Sequence, residues 1–194
     1  MRPAVAVVDH GMGNLRSVAK ALDETGATAS ISDEPAAFES ADALCVPGQG
    51  IFGRCMANLS ARGMGDVILE WVAGSRPLLG ICLGMQVLFD DSEEGGAPGL
   101  GVLRGSVRRL PGTVRVPHIG WNTVSDAGGK AEHYYFDHSF AVYPEDEGIV
   151  RGWCEHGNRF AAWVGIGSVT AVQFHPEKSS RAGIGLLEGW VRSI

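Results

Sequence analysis

The chain has 194 residues, the length of one domain, and at this size roughly 70 % of the unfolded surface can be buried in a single sizeable core. Hydrophobic residues make up 45 % and charged residues 20 %, with 16 basic against 22 acidic side chains and a formal charge of -6. These values exclude a disordered, collagen-like or membrane-spanning chain and give no electrostatic drive toward nucleic-acid phosphates or anionic lipid.

The N-terminus enters an apolar run, Ala4 to Val8, without a basic leader or cleavage site. Asp9-His10-Gly11-Met12-Gly13-Asn14 then punctuates the chain before an amphipathic stretch from Leu15 to Glu24, which reads as strand, loop, helix. Gly26 stands where a helix C-cap belongs, and Ala27 to Ile31 offers a second strand. Ala43 to Val46 is a third apolar run, ending at Pro47-Gly48-Gln49-Gly50. Helical spacing follows around Val67 to Ala73, and Pro77 to Ile81 is another short strand meeting Cys82. Buried strands alternating with helices predict a parallel sheet covered on both faces.

After Glu93-Glu94-Gly95-Gly96-Ala97-Pro98-Gly99 the pattern changes to strands with few helix signals. Val102 to Val107, His133 to Val142, Ile149 to Cys154, Phe160 to Ile166 and Ser168 to Phe174 are the expected strands, with a hairpin turn at Glu155-His156-Gly157-Asn158. Ser179 or Ser180 is the expected cap of a last helix running to about Arg192. Without internal repeats or a long linker, residues 1-194 read as a single α/β domain: a mostly parallel central sheet flanked by helices, with an antiparallel addition.

The four cysteines, Cys45, Cys55, Cys82 and Cys154, lack the density of a disulfide scaffold and any C-x-x-C spacing. Reduced thiols, a cytoplasmic location and no metal centre are expected. Cys82 differs in setting, because Gly80-Ile81-Cys82-Leu83-Gly84 places it between two glycines where a strand meets a helix. Such a join resembles a nucleophile elbow, and helix amides near the sulfur favour a reactive thiolate. The plainer alternative is a small buried core cysteine. Gln173-Phe174-His175-Pro176-Glu177 supplies a partner: extended residues two apart project to one side, so Glu177 can orient the imidazole of His175. Together these make a Cys-His-Glu triad. The Leu83 N–H and the Pro47-Gly48-Gln49-Gly50 loop are candidate oxyanion donors, although that loop also reads as a plain turn.

These three segments, with Met85 and Gln86 after the elbow, resemble the class I (triad) glutamine amidotransferases, which have a flavodoxin-like fold. Asp9-His10-Gly11-Met12-Gly13-Asn14-Leu15-Arg16-Ser17, Pro117-His118-Ile119-Gly120-Trp121-Asn122 and His175-Pro176-Glu177-Lys178-Ser179 are similar to the glutaminase subunits of imidazole glycerol phosphate synthases. The resemblance implies hydrolysis of glutamine to glutamate and ammonia, without a metal or organic cofactor. It further implies a heterodimer with a (β/α)8-barrel cyclase subunit, to which ammonia passes to complete the imidazole ring in histidine biosynthesis.

Carried over residue by residue, the resemblance makes Cys82, His175 and Glu177 catalytic and Gly50, Gln49 and Leu83 the oxyanion donors. Gly48, Gly50, Gln86, His138, Ser139 and Phe140 would bind glutamine, and Trp121, Asn122, Tyr135 and Lys178 would face the partner. The sequence departs from the usual pattern at His10, where the family commonly has Tyr, at Gln49, and at Asp137 with Phe140. Two other readings remain open: the glutaminase subunit of another amidotransferase, and a non-catalytic scaffold that keeps the fold.

Overall fold

In the computed structural model, which describes residues 1–194, the first apolar run forms strand β1 (Ala4–Val8) and the amphipathic stretch forms helix α1 (Leu15–Glu24). Helix α1 buries Val18, Ala21 and Leu22 on one face and ends in a Schellman motif. Ala27 N–H donates to the Leu22 carbonyl at 3.2 Å and Gly26 N–H to that of Asp23 at 3.3 Å, with Gly26 at φ +98°. Strands β2 (Thr28–Ser32) and β3 (Ala43–Val46) follow, then helices α2 (Phe52–Ala61) and α3 (Met64–Ala73), strand β4 (Leu78–Ile81) and the one-turn helix α4 (Leu83–Gln86). The remaining elements are β5 (Phe89–Ser92), β6 (Leu103–Arg109), β7 (His118–Ser125), β8 (Ala131–His138), β9 (Phe140–Pro144), β10 (Val150–His156), β11 (Asn158–Ile166), β12 (Val169–Val172) and helix α5 (Ser180–Val191). Three 3-10 turns, at Pro35–Phe38, Glu147–Ile149 and Pro176–Lys178, join them.

All twelve strands belong to one sheet, whose main path runs β2-β1-β3-β4-β12-β11-β10-β7-β8. From β2 to β12 each neighbouring pair is parallel, and from β12 onward each is antiparallel. Strand alternation sends Val5, Val7, Cys45, Leu79, Ile81 and Val172 toward α1 and α5, where they meet Leu22, Leu187 and Trp190. The intervening Ala6, Val8, Leu44, Val46 and Leu78 face α2 and α3, with Phe52, Leu59, Met64 and Ile68. Both faces are therefore covered, as expected for buried strands; a leucine such as Leu22, fully removed from water, contributes about 1.5–3 kcal/mol before entropy. No helix is long and apolar enough to cross a membrane.

Several elements differ from the sequence expectation. Helix α2, strand β5 and strand β7 are additional, and the run from His133 to Val142 is broken at Ser139 into β8 and β9. At Ser139 the chain changes partner, from β7 beside His138 to β6 beside Phe140, and the Ser139 carbonyl accepts the Leu110 N–H at 2.9 Å. Neither Ser179 nor Ser180 caps α5 with its side chain.

Candidate active site

Parallel strands place their C-terminal ends on one edge of the sheet, and adjacent β1, β3, β4 and β12 deliver four loops there. These loops carry His10, Pro47 to Gly50, Cys82 and His175. Cys82 sits at φ +52°, ψ -109°, a region that non-glycine residues rarely occupy. The elbow is tight enough to exclude side chains on either side of the thiol. A Cβ on Gly84 would fall 1.7 Å from the Val46 carbonyl oxygen, and one on Gly80 would fall 2.9 Å from that of Gly84. The Cys82 N–H donates to Val172 at 2.7 Å, which locks the elbow to β12. Helix α4 is a single turn whose Met85 and Gln86 N–H groups donate to the Cys82 carbonyl at 3.0 and 3.1 Å, so no long helix dipole stands behind the thiol. Gln173 Nε2 donates to Sγ at 3.5 Å, a contact given no role in the sequence reading.

His175 and Glu177 pair through Nδ1 and Oε1 at 2.8 Å, both side chains almost fully buried. The pairing arises from the 3-10 turn Pro176–Lys178 that follows β12, not from an extended segment as expected. That turn is bracketed by β8: His175 N–H donates to the Tyr135 carbonyl at 2.9 Å, and Tyr135 N–H donates to Ser179 Oγ at 2.9 Å. Ser179 Oγ in turn donates to the His175 carbonyl at 2.6 Å, so its hydroxyl fixes the histidine backbone instead of capping α5. Burial disfavours the imidazolium, but the negative charge available at Cys82 and the bond to Glu177 outweigh it, raising the His175 pKa to about 10. His175 Nε2 and Glu177 Oε2 have no hydrogen-bond partner. An unpaired buried Nε2 is costly unless a proton donor or acceptor arrives there.

The other three thiols stay protonated. Burial pushes Cys55 and Cys154 up to about 12 and drives Cys45 higher still. Protonated Cys55 has a structural use: its Sγ lies 3.6 Å from His10 Nδ1, while His10 Nε2–H donates to the Pro47 carbonyl at 2.6 Å. The departure from Tyr at His10 thus pins the start of the Pro47 to Gly50 loop. At the other end, Glu94 accepts the Phe52 N–H at 2.8 Å, capping α2 from 42 residues away. Between these anchors Gly50 adopts φ +124°, against Met12. The N–H groups of Gln49, Gly50 and Leu83 donate to no backbone carbonyl, so all three remain free for an incoming oxygen.

Cys82, Leu83, Gln49, Gly50, Gln86, His138, Ser139 and Phe140 line one cavity of about 290 Å³, together with Glu94, Pro117 and Asp137. Its size fits a small, mostly polar ligand. Gly48 does not line it. This residue is buried beneath the loop, where a Cβ would meet Leu83 Cβ at 2.6 Å, so its part is close packing against the elbow. Gln86 is committed within the protein, donating to the Phe140 carbonyl at 2.9 Å and to Gln173 Oε1 at 3.0 Å.

The four residues expected to face a partner divide. Trp121 is 53 % exposed and stacks edge-on with Tyr135, with Lys178 beside the Tyr135 ring and 4.0 Å from Asp137. Asn122 lies on the opposite face of β7, because neighbours on a strand alternate sides. Its amide donates inward to the Glu155 carbonyl at 3.0 Å.

A family model described as Glutamine amidotransferase class-I matches residues 6–189. The chain belongs to this family. Among relatives, the "Imidazole glycerol phosphate synthase subunit HisH" of Symbiobacterium thermophilum is 45 % identical over 199 residues, covering 98 % of this chain and 94 % of the relative. The protein of that name from Moorella thermoacetica is 44 % identical over 201 residues with the same coverage. A crystal structure of a glutamine amidotransferase superposes with a TM-score of 0.80 at 24 % identity, covering 98 % of this chain and 99 % of that one. PurLQS from Thermotoga maritima gives a TM-score of 0.74 at 18 % identity, covering 98 % of this chain and 95 % of that one. At those identities the two structures speak for the fold of this amidotransferase, while the relatives place it among synthase subunits.

Proposed function

We propose that this amidotransferase hydrolyses glutamine to glutamate and ammonia as the glutaminase subunit of imidazole glycerol phosphate synthase, acting in the cytoplasm in histidine biosynthesis. The observation that carries the reading is the thiol of Cys82 on a strained elbow, bordering a cavity and one strand away from a buried His175–Glu177 pair. The Cys82 thiolate attacks the carboxamide carbon, and the oxygen gains charge toward the free N–H groups of Leu83 and of Gln49 or Gly50. Imidazolium His175, held by Glu177, gives its Nε2 proton to the departing nitrogen, leaving ammonia and a thioester. Neutral His175 then takes a proton from water, which attacks the thioester and releases glutamate. The free His175 Nε2 is the atom this sequence requires.

A subunit implies a partner, and we assign that role to a (β/α)8-barrel cyclase that consumes the ammonia, docked over the face formed by exposed Trp121 with half-buried Tyr135 and Lys178. In this proposal residues 1–194 act as one catalytic domain. The test mixes it with such a cyclase subunit and measures glutamate release and ammonia-driven ring closure. Glutamate formed only with intact Cys82, and ring closure with added ammonia even in Cys82→Ala, are the expected results. No glutamate from the wild-type mixture overturns the reading.

A further inference from the structure

His118 lies outside the triad and outside the cavity lining, yet it is only 5 % exposed and fully hydrogen-bonded. Its Nδ1 is 2.9 Å from His138 Nε2, and its Nε2 is 3.1 Å from Asn122 Nδ2. The ring is sandwiched between Phe136, at 4.7 Å, and His156, at 4.0 Å.

The protons in this chain can be placed. Thr123 N–H donates to Asn122 Oδ1 at 2.7 Å, which makes Oδ1 the acceptor and Nδ2 the donor toward His118. His118 Nε2 therefore accepts, its proton sits on Nδ1, and that proton is donated to His138 Nε2. The His138 proton then sits on Nδ1, where it meets the Phe140 carbonyl at 2.8 Å. Both ends of the chain demand the same tautomers. Protonating His138 would set its Nε2–H against His118 Nδ1–H at 2.9 Å, and protonating His118 would set its Nε2–H against the Asn122 amide N–H at 3.1 Å, in keeping with the low pKa values of His118 and His138, about 4 and 3, which burial causes first. Beyond Phe140 the line continues, since the same carbonyl accepts from Gln86, Gln86 donates to Gln173, and Gln173 donates to Cys82 Sγ.

We propose that His118 is a positioning residue for the glutamine pocket: through His138 it fixes the Ser139–Phe140 backbone and, through Gln86 and Gln173, the setting of the nucleophile. The inference rests on the glutaminase reading above. His118 does not itself line the cavity, so its effect passes through the rotamer and tautomer of His138. A free His138 could rotate its ring and release the Phe140 carbonyl, loosening the wall opposite Cys82.

Two experiments test this. In the wild-type chain, nitrogen-15 NMR of the imidazoles at neutral pH should show both His118 and His138 protonated on Nδ1; an Nε2–H form of either overturns the chain. In the synthase with its partner, His118→Phe keeps the ring stack but removes the donor, and should raise KM for glutamine about tenfold, with kcat changed less than threefold. Ammonia-driven turnover should stay within twofold of wild type. His118→Asn puts an amide nitrogen where Nδ1 stood and should bring KM back to within threefold of wild type. An unchanged KM in His118→Phe, a fall in kcat alone, or no rescue by Asn refutes positioning. If His118→Phe does not fold, the wild-type tautomers and the His118→Asn kinetics decide. Absence of glutamate release from wild type would instead sink the glutaminase reading, while the tautomers still report whether the chain exists.

Discussion

Four thiols occupy this chain, and what separates Cys82 from the rest is access to a cavity and a basic partner. A thiol pushed to about 12, as in Cys55 and Cys154, presents almost no thiolate at neutral pH, and Cys45 is driven further in the same direction. A glutamine-mimicking electrophile should therefore label Cys82 alone. Mass spectrometry of the labelled peptides checks this, and faster labelling at any other cysteine would move the nucleophile. Cys82→Ala should lower glutaminase turnover by at least about 10³-fold without loss of fold, since the chemistry has no second nucleophile. In the proposed reaction Glu177 has a different part, because it contacts Nδ1 and not the Nε2 that would transfer the proton. Glu177→Gln retains a hydrogen-bond acceptor and loses the charge that favours imidazolium, so its loss should be partial and smaller than that of His175→Ala. Equal losses measured in parallel assays would assign Glu177 a direct part in proton transfer.

At the scale of elements, glycine placement in α5 gives a sharp contrast. A Cβ on Gly183 would sit 2.0 Å from the Pro176 carbonyl oxygen, so this glycine lets the helix press on the turn that carries His175 and Glu177. Gly185 and Gly189 of the same helix have nothing within 4 Å of an added Cβ. Gly185→Ala and Gly189→Ala should each stabilise the chain by about 0.5–1 kcal/mol, whereas Gly183→Ala should destabilise it by about 1–3 kcal/mol and impair glutamine hydrolysis. Thermal unfolding of the three variants settles the order, and a stabilised Gly183→Ala would contradict the packing. Such contrasts also mark what the sequence could reveal. Helix α1 was legible because its apolar spacing and Gly26 cap are local, and the elbow because both glycines flank the thiol. Helix α2 was hidden: it follows a glycine-rich loop, carries no capping side chain of its own, and is capped by Glu94 from a distant segment. The break between β8 and β9 is likewise non-local, lying where the chain changes partner from β7 to β6 at Ser139. His118 stood within a recognised motif, but only the β7–β8 register, which pairs it with His138, reveals what it holds.

For the molecule as a whole, the parallel half of the sheet gathers the loops of the candidate site at one edge, and the antiparallel half supplies the opposite wall of the cavity through β8 and β9. The joint between the halves is partly built from neutral histidines. Folded His118 and His138 titrate near 4 and 3, against an ordinary value of about 6.5 in the unfolded chain, with burial the leading cause. Their contribution follows from proton counting. Above about pH 6.5 both states are neutral at these sites and the histidine chain stabilises the fold in full. Between about pH 6.5 and 4 the unfolded chain binds protons that the folded one refuses, so stability falls as the solution is acidified. Carboxylates add their own loss only in the lower part of that range. The wild-type unfolding midpoint should consequently drop between pH 6.5 and 5, before most carboxylates titrate, while His118→Phe should show a shallower decline over the same interval. A parallel decline in the two proteins, measured by circular dichroism across that window, would mean that the buried pair is not what couples the two halves to pH.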